Sequence, residues 1–445
     1  MRAAAACTGA VLISTVLLTG CGSEQSPAGL DSDRASASET AATGTAGTVT
    51  GPGTAANPIP KPQGVLELKF NAGEELDTGI AEAAGTLYFS ADGKLFAVDE
   101  ATGQERWRFP AGERIQVTPR VDGATVYFAS NQYPSGERTG FHVRALDTVT
   151  GQEKWQFAAG SDILALEVAS GTVYAAGTDN LYALDAVKGQ HKWSQSHGAM
   201  IMDTADPSIL YLADMRLTGP NQNTTYVYAV DKATGAEKWK MESGGAATDL
   251  QNFGGLVYLA TFGDRPGGYR KALPPALFAL DASTGQQKWM FAPEAGNTQP
   301  YGDNQMLAIS HVDGRSLFVI DNASDLSSSL VPSVDRTVYE FDAATGQQSG
   351  SYRTAGGFQV QNREDPAPTY SDGVFYLVNA DLGNAANDPN ARITYIVSAV
   401  AAAGGAEQWT VRAQAGTRML LSYAGLFNGR IWLAARDSGE IFVLR

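Results

Sequence analysis

Few side chains in this chain of 445 residues could carry covalent or acid–base chemistry. Its two cysteines are Cys7 and Cys21. From residue 22 onward there is none, so an internal disulfide, a zinc cluster, a haem-attachment motif and a thiol nucleophile are all excluded there. The four histidines, His142, His191, His197 and His311, are scattered, and no nucleophile–base pair can be read from them. His191 sits in the variable part of a repeat, which predicts solvated surface. Carboxylates, by contrast, recur in a pattern, Ala-x-Asp-x-x-x-Gly-x-x-x-Trp. It is complete at Ala97/Asp99/Gly103/Trp107, Ala145/Asp147/Gly151/Trp155, Ala183/Asp185/Gly189/Trp193, Ala229/Asp231/Gly235/Trp239 and Ala279/Asp281/Gly285/Trp289. A sixth copy, Ala399/Gly405/Trp409, has Ala401 in place of the Asp, and a decayed copy reads Glu340/Asp342/Gly346/Gly350. The residues after each Asp point to a turn: Asp bonds backbone N–H groups just ahead, and Gly accepts a positive φ. Asp381-x-x-Asn384-x-x-Asn387-Asp388 suggests calcium by residue type, but its spacing matches no defined calcium loop and predicts a structural turn.

The elements that carry these residues are strands. Runs such as Thr86-Leu-Tyr-Phe-Ser90, Thr125-Val-Tyr-Phe-Ala129, Thr172-Val-Tyr-Ala-Ala176 and Val374-Phe-Tyr-Leu-Val378 are rich in β-branched and aromatic residues. Each precedes a run like Leu95-Phe-Ala-Val-Asp99, apolar at consecutive positions as in a sheet covered on both faces. The Trp then lies on the strand leaving the Asp turn. Recurrence at roughly 40–60 residues implies stacked units, each burying its faces against its neighbours.

This pattern resembles the tryptophan-docked propellers of the PQQ-repeat family. The resemblance implies that each ring stacks on the Ala of its own motif and against the peptide at the Gly of the next blade. The decayed copy agrees, because its Ala and Trp are lost together, to Glu340 and Gly350. The fold class expected is all-β, an eight-bladed β-propeller over residues 65–445. Seven outgoing strands are marked by Trp107, Trp155, Trp193, Trp239, Trp289, Gly350 and Trp409, and an eighth is hidden in Val65–Gly73, which aligns with Glu105–Gly112. Because Ile441–Arg445 matches an incoming strand and then stops, the first strand is expected to complete the last blade and leave no open edge.

Ahead of the propeller (63–445), residues 1–20 read as an export signal, with Arg2, an apolar stretch and then small residues. Leu18-Thr19-Gly20-Cys21 resembles a bacterial lipobox, which makes Cys21 the lipidated first residue of the mature protein. Residues 21–62, mostly Ser, Ala, Thr, Gly and Pro, read as a flexible tether with a reach of about 35 Å. The expected location is the outer face of the cell membrane of a Gram-positive-type envelope, with a periplasmic or outer-membrane site as the alternative. With 32 Lys and Arg against 47 Asp and Glu, the net charge of −15 argues against nucleic acid as a partner.

Long insertions at Asn131–Gly140, Met215–Thr225, Phe262–Pro275, Asn322–Asp335 and Asp381–Ala391 all fall between a blade's second and third strands. Equivalent loops project from one face of a propeller, and such faces bind partners. The candidate partner-binding residues there are Arg265, Tyr269, Arg270, Asp325, Asp335, Asp381 and Asp388. Gln116, Gln251, Gln299, Gln359, Gln361 and Arg418 are expected to face the central channel. The plan of lipobox and single propeller also resembles BamB-like assembly lipoproteins. It departs from them in its long tether, heavy insertions and Ala-rich signal, which look more like actinobacterial lipoproteins. The function expected is a non-catalytic, lipid-anchored scaffold that binds an extracytoplasmic protein, with no cofactor. The alternatives are a quinoprotein dehydrogenase, for which the family resemblance implies PQQ and Ca2+ in the channel, and a ligand- or carbohydrate-sensing surface protein. The broken copies at Gly350 and Ala401 belong to the longest blades and mark where a working edge is expected.

Overall fold

A computed structural model describes residues 59–112, 114–132, 139–219, 222–262, 275–293, 306–324, 334–354, 369–381, 394–414, 422–435 and 438–445. The candidate residues Arg265, Tyr269, Arg270, Asp325 and Asp388 lie outside them, as do Cys21, Gln299, Gln359, Gln361 and Arg418.

The described chain is a ring of antiparallel blades running inner to outer strand in sequence order. Blade 1 uses Ala81–Ala83, Thr86–Ala91, Lys94–Asp99 and Glu105–Pro110; blade 3 uses Ile163–Ala169, Thr172–Gly177, Leu181–Asp185 and His191–Gln195. Blades 2, 4, 5, 6 and 7 repeat the order, and one backbone bridge, Phe262↔Met306, fuses blades 5 and 6 into a single sheet. Blade 8 is assembled from both ends of the ring: Ser422–Phe427, Arg430–Ala435 and Glu440–Leu444 are completed by Leu66–Asn71. Leu66 pairs with Leu444 and Asn71 with Glu440, while Val65 and Arg445 exchange backbone hydrogen bonds of 2.9 and 2.8 Å. The first strand therefore closes the last blade, as expected, and the architecture is an eight-bladed β-propeller.

Burial follows the pattern read from the residues. The second strands, such as Thr86–Ala91 and Thr172–Gly177, are buried at every position because a neighbouring blade covers each face. Outer strands alternate: in Glu153–Ala158 only Trp155 is fully buried, and charged residues stand beside it.

A three-residue row crosses each regular blade and faces the next one. In blade 2, Tyr127 pairs with Ala145 and Ala145 with Trp155. The same row is Tyr88–Ala97–Trp107, Tyr174–Ala183–Trp193, Tyr211–Ala229–Trp239, Tyr258–Ala279–Trp289 and Tyr376–Ala399–Trp409. The small Ala lets the flanking rings approach over it, to between 5.9 and 6.0 Å with tilts of 38–48° in all six blades. Trp107, Trp155, Trp193, Trp239 and Trp289 each cover the motif glycine of the following blade. A methyl group added at Gly151, Gly189, Gly235, Gly285 or Gly346 would fall 2.5–2.7 Å from the preceding blade's indole. At Gly189 this close approach coincides with φ of +67°, so the position needs glycine on both counts.

Two motif glycines depart from the expected contact with an indole. Gly103 in blade 1 follows blade 8, whose outer strand Leu66–Asn71 carries Leu68 where the regular blades carry Trp. A methyl group on Gly103 would collide with the Lys69 backbone carbonyl, so here glycine admits a strand backbone rather than a ring. Lys69 Nζ fastens the same seam by donating to Ala101 O at 3.2 Å. Gly405 in blade 7 is covered by the Tyr352 ring, because blade 6 has lost its Trp.

Candidate functional site

The repeated aspartates are the first candidates for chemistry, and the structure engages each one in its own turn. Asp147 Oδ1 accepts hydrogen bonds from the Val149 and Thr150 backbone N–H groups, both at 3.0 Å, and from the Thr150 hydroxyl at 3.1 Å. Lys154 Nζ stands 3.2 Å from the other oxygen. Donation from Thr150 and Lys154 holds the Asp147 carboxyl at about 2. Asp231 sits at about 2 through Lys238 and Thr234, while Arg106 holds Asp99 and Ser283 holds Asp281 well below the usual carboxylate range. A carboxylate so held is a poor proton acceptor near neutral pH.

The basic partner belongs to the motif and was missed in the sequence reading. Arg106, Lys154, Lys192, Lys238 and Lys288 each immediately precede a motif Trp, and four of them reach the Asp of their own turn within 3.2 Å. Lys192 instead donates to Gly171 O and Thr172 Oγ1, with its charge still lowering Asp185. The signal was present: where the Asp becomes Ala401, the basic residue becomes Gln408. In blade 6, Ser349 replaces it, and Arg315 from the turn before the second strand reaches Asp342 at 3.2 Å.

Antiparallel order puts a blade's second-to-third and third-to-fourth connections at opposite ends of the sheet. The Asp turns therefore form one face of the ring, and all five insertions belong to the other. Part of the inserted sequence lengthens strands. Met215–Thr225, expected as a loop, continues a hairpin in which Met215 pairs with Thr225 and Leu217 with Asn223. Its β-bonding potential is satisfied within the pair, which a composition of Thr, Tyr and Val on the returning strand favours. Asp335 and Asp381 likewise sit on strands, opposite Ala323 and Thr394.

The blade 4 hairpin carries the best-defined polar cluster on this insertion face. Buried Asp214 pairs with Arg216 at 2.6 Å, and Lys240 Nζ lies 3.9 Å from the Tyr226 ring centre and 5.2 Å from that of Tyr228. His197 stacks parallel on Tyr228 at 4.4 Å, and burial lowers its pKa. Blade 3, which precedes it, has only a short connection between Gly177 and Leu181, so the hairpin extends past its neighbour.

Along the channel the polar groups join blade to blade. Arg120 donates to Glu167 at 2.8 Å, Gln251 Nε2 to Ile309 O at 3.0 Å, and the Asn252 backbone N–H to Asp203 at 2.7 Å. Asp249 is half-buried on the inner wall, and burial, with the nearby Asp203 charge adding to it, raises its carboxyl to about 6 against donation from Leu250, Ile309 and Gln251. Among the described residues no group of three or more His, Cys, Asp or Glu is placed to hold a metal ion.

A family model described as outer membrane protein assembly factor BamB matches residues 61–201 and 223–391, more than half of the chain. Among solved structures, BamB from Moraxella catarrhalis matches with a TM-score of 0.50 at 15% identity, covering 86% of this chain and 100% of that one. The computationally designed Ika8 protein matches with a TM-score of 0.55 at 15% identity, over 85% and 99% of the two chains. A search of curated proteins finds no match. At such identity the structural likeness establishes the propeller, while the family match extends through most of its blades. The chain belongs to the PQQ-like propeller family described as outer membrane protein assembly factor BamB.

Proposed function

We propose that this chain is a non-catalytic propeller scaffold, exported and held to the membrane by lipid on Cys21, that binds another extracytoplasmic protein through its insertion face. The observation that carries the reading is the division of labour between the two faces. The Asp-turn face is built from short turns whose carboxylates are neutralised by their own backbone and by Lys or Arg. The insertion face departs from the repeat in five blades and carries the Arg216, Tyr226 and Lys240 cluster, residue types enriched in protein contacts for Arg and Tyr. The family's description as an assembly factor supports a protein partner. Function does not follow from fold alone, and the outer-membrane role of the relatives is not carried over.

The test is in-cell photocrosslinking from Arg216, Tyr226 and Lys240, with Val149 and Val187 on the Asp-turn face as controls. A defined exported protein crosslinked from the first set alone is the expected result. Crosslinks from the controls alone would overturn the assignment of the face. Cys21→Ala should leave the membrane fraction, and its retention there would remove the lipid anchor from the proposal. Tight binding of PQQ and calcium by the purified protein, with dye-linked dehydrogenase activity, would replace the scaffold reading by the enzyme one.

A further inference from the structure

The seam between blades 7 and 8 is filled differently from the other tryptophan seams. In five seams the Trp Nε1 donates to the carbonyl just after the next blade's Asp. These bonds run from Trp107 to Thr148, Trp155 to Ala186, Trp193 to Lys232, Trp239 to Ala282 and Trp289 to Ala343, at 2.8–3.3 Å. Tyr127, Tyr211 and Tyr258 donate to the same carbonyls at 3.0–3.2 Å. In blade 8 no turn joins the third strand to the fourth, because the fourth is Leu66–Asn71. Ile59 stands in the vacated place. Trp409 Nε1 donates to its carbonyl at 3.0 Å, and its own N–H donates to the Tyr376 hydroxyl at 2.9 Å.

Both polar groups of the slot thus grip the backbone of one residue, and the Ile59 side chain packs on the cluster containing Tyr376, Trp409 and Val411. The chain continues as Pro60-Lys61-Pro62-Gln63-Gly64, in which Pro60, Lys61 and Gln63 are exposed. The prolines offer no N–H and favour an extended, preorganised backbone, so such a segment docks on aromatic groups at small entropic cost. Gly64 completes the fit: its φ is +79° and a methyl group there would meet the Arg412 carbonyl at 2.6 Å. The Asp turns elsewhere are locked by three or more bonds within one short loop. Here the occupant is separated from its slot by more than 300 residues and held chiefly through a single residue.

We propose that the Tyr376–Trp409 slot is a docking site for a short proline-flanked extended peptide, with Ile59–Gly64 as its resident occupant in cis. The occupant is exchangeable for a proline–aliphatic–proline segment of a protein partner, at a place distinct from the insertion face. Release of Ile59 needs no separation of Leu66–Asn71 from Glu440–Leu444, since those strands keep their own ladder. Occupancy in cis weakens apparent binding in trans by the fraction of time the slot is open.

The experiment uses the purified mature full-length protein and a labelled peptide with the sequence of residues 57–64, followed by fluorescence anisotropy. Ile59→Gly should bind the peptide at least tenfold more tightly than the unsubstituted protein. Trp409→Phe in the same background should lose that binding, and a peptide with its prolines replaced by alanine should bind severalfold more weakly. Equal binding by Ile59→Gly and the unsubstituted protein, no binding by Ile59→Gly, or binding that survives Trp409→Phe each overturns the slot. Equal binding of the alanine peptide overturns its preference for proline. If melting curves show that Trp409→Phe has lost its fold, Tyr376→Phe, which removes one hydroxyl from the same slot, is read in its place with the same two outcomes.

Discussion

Blades 2 and 6 solve the same packing problem in opposite ways. In blade 2 the row Tyr127–Ala145–Trp155 is large, small, large, and both rings donate to Ala186 O in blade 3. In blade 6 the aligned row is Phe318–Glu340–Gly350. A carboxylate in the middle of the row needs a route to water, and glycine on the outer strand leaves one; a methyl group at Gly350 would meet the Glu340 carboxylate at 3.7 Å. The ring that the seam requires moves two residues along the outer strand, to Tyr352. It packs on Gly405 and donates its hydroxyl to Ala401 O at 3.4 Å. Nearer the axis the blade 6–7 seam adds Tyr370, stacked on His311 at 3.7 Å and packed among Phe318 and Phe375. The row is therefore exchanged as a unit, and the docking contact outlasts the residue that usually makes it.

The largest expected effect on that comparison comes from Trp155→Ala, which should cost about 3–5 kcal/mol in urea unfolding. Tyr352→Ala should cost less, because the inner aromatic cluster still holds its seam. Equal losses would mean that Tyr352 is a full replacement for the indole. Next, Gly350→Trp should destabilise by about 1–3 kcal/mol, since it closes the carboxylate's route to water. Adding Glu340→Ala should recover much of this, with a coupling of at least about 1 kcal/mol in a double-mutant cycle. Additive effects would break the claim that the row changes as a unit.

Smaller effects concern the turns. Ala401→Asp with Gln408→Lys rebuilds in blade 7 the pair found in blades 1, 2, 4 and 5, and should add about 0.5–1 kcal/mol of stability. Either substitution alone should add less. The pH dependence separates the turns from the channel. Asp147 and Asp231 have carboxyls lowered to about 2, so their stabilising contribution is complete above the ordinary carboxylate pKa and is lost as pH falls from about 4 to 2. Asp249 has the opposite sign: its carboxyl is raised to about 6, so ionisation costs stability as pH rises from about 4 to 6. Asp249→Asn should remove that decline in melting temperature and leave the acid limb below pH 4 in place. An unchanged profile between pH 4 and 6 would show that Asp249 carries no such cost.

Much of this was legible in the residues. The joint loss of Ala and Trp at Glu340 and Gly350 announced that they are partners, and the Ala-Gly after Phe70 announced a strand. The Tyr of each second strand was visible only as β-propensity, because its role lies in a carbonyl of the next blade, 60 residues away for Tyr88 and Thr148. Tyr352 was passed over because it sits two residues out of the motif's register. Gly103 spells the same motif as Gly151, yet its neighbour is the Lys69 backbone, since closure of the ring sets a strand without Trp beside it. The candidate insertion residues were placed by blade position, which says which end of a sheet they leave but not whether they extend it. Met215–Thr225 shows the difference.

The repeat alone determined the strand order, the eight blades and the closing strand, because turn chemistry and alternating burial act over a few neighbouring residues and recur wherever they are spelled. Only the tertiary structure decided what each indole meets. That choice joins groups from different blades, and the same Trp N–H is satisfied by a local turn at Ala186 and by Ile59 at the ring's closure. A buried donor must find an acceptor, but the residue that supplies it depends on which segments the closed ring brings together.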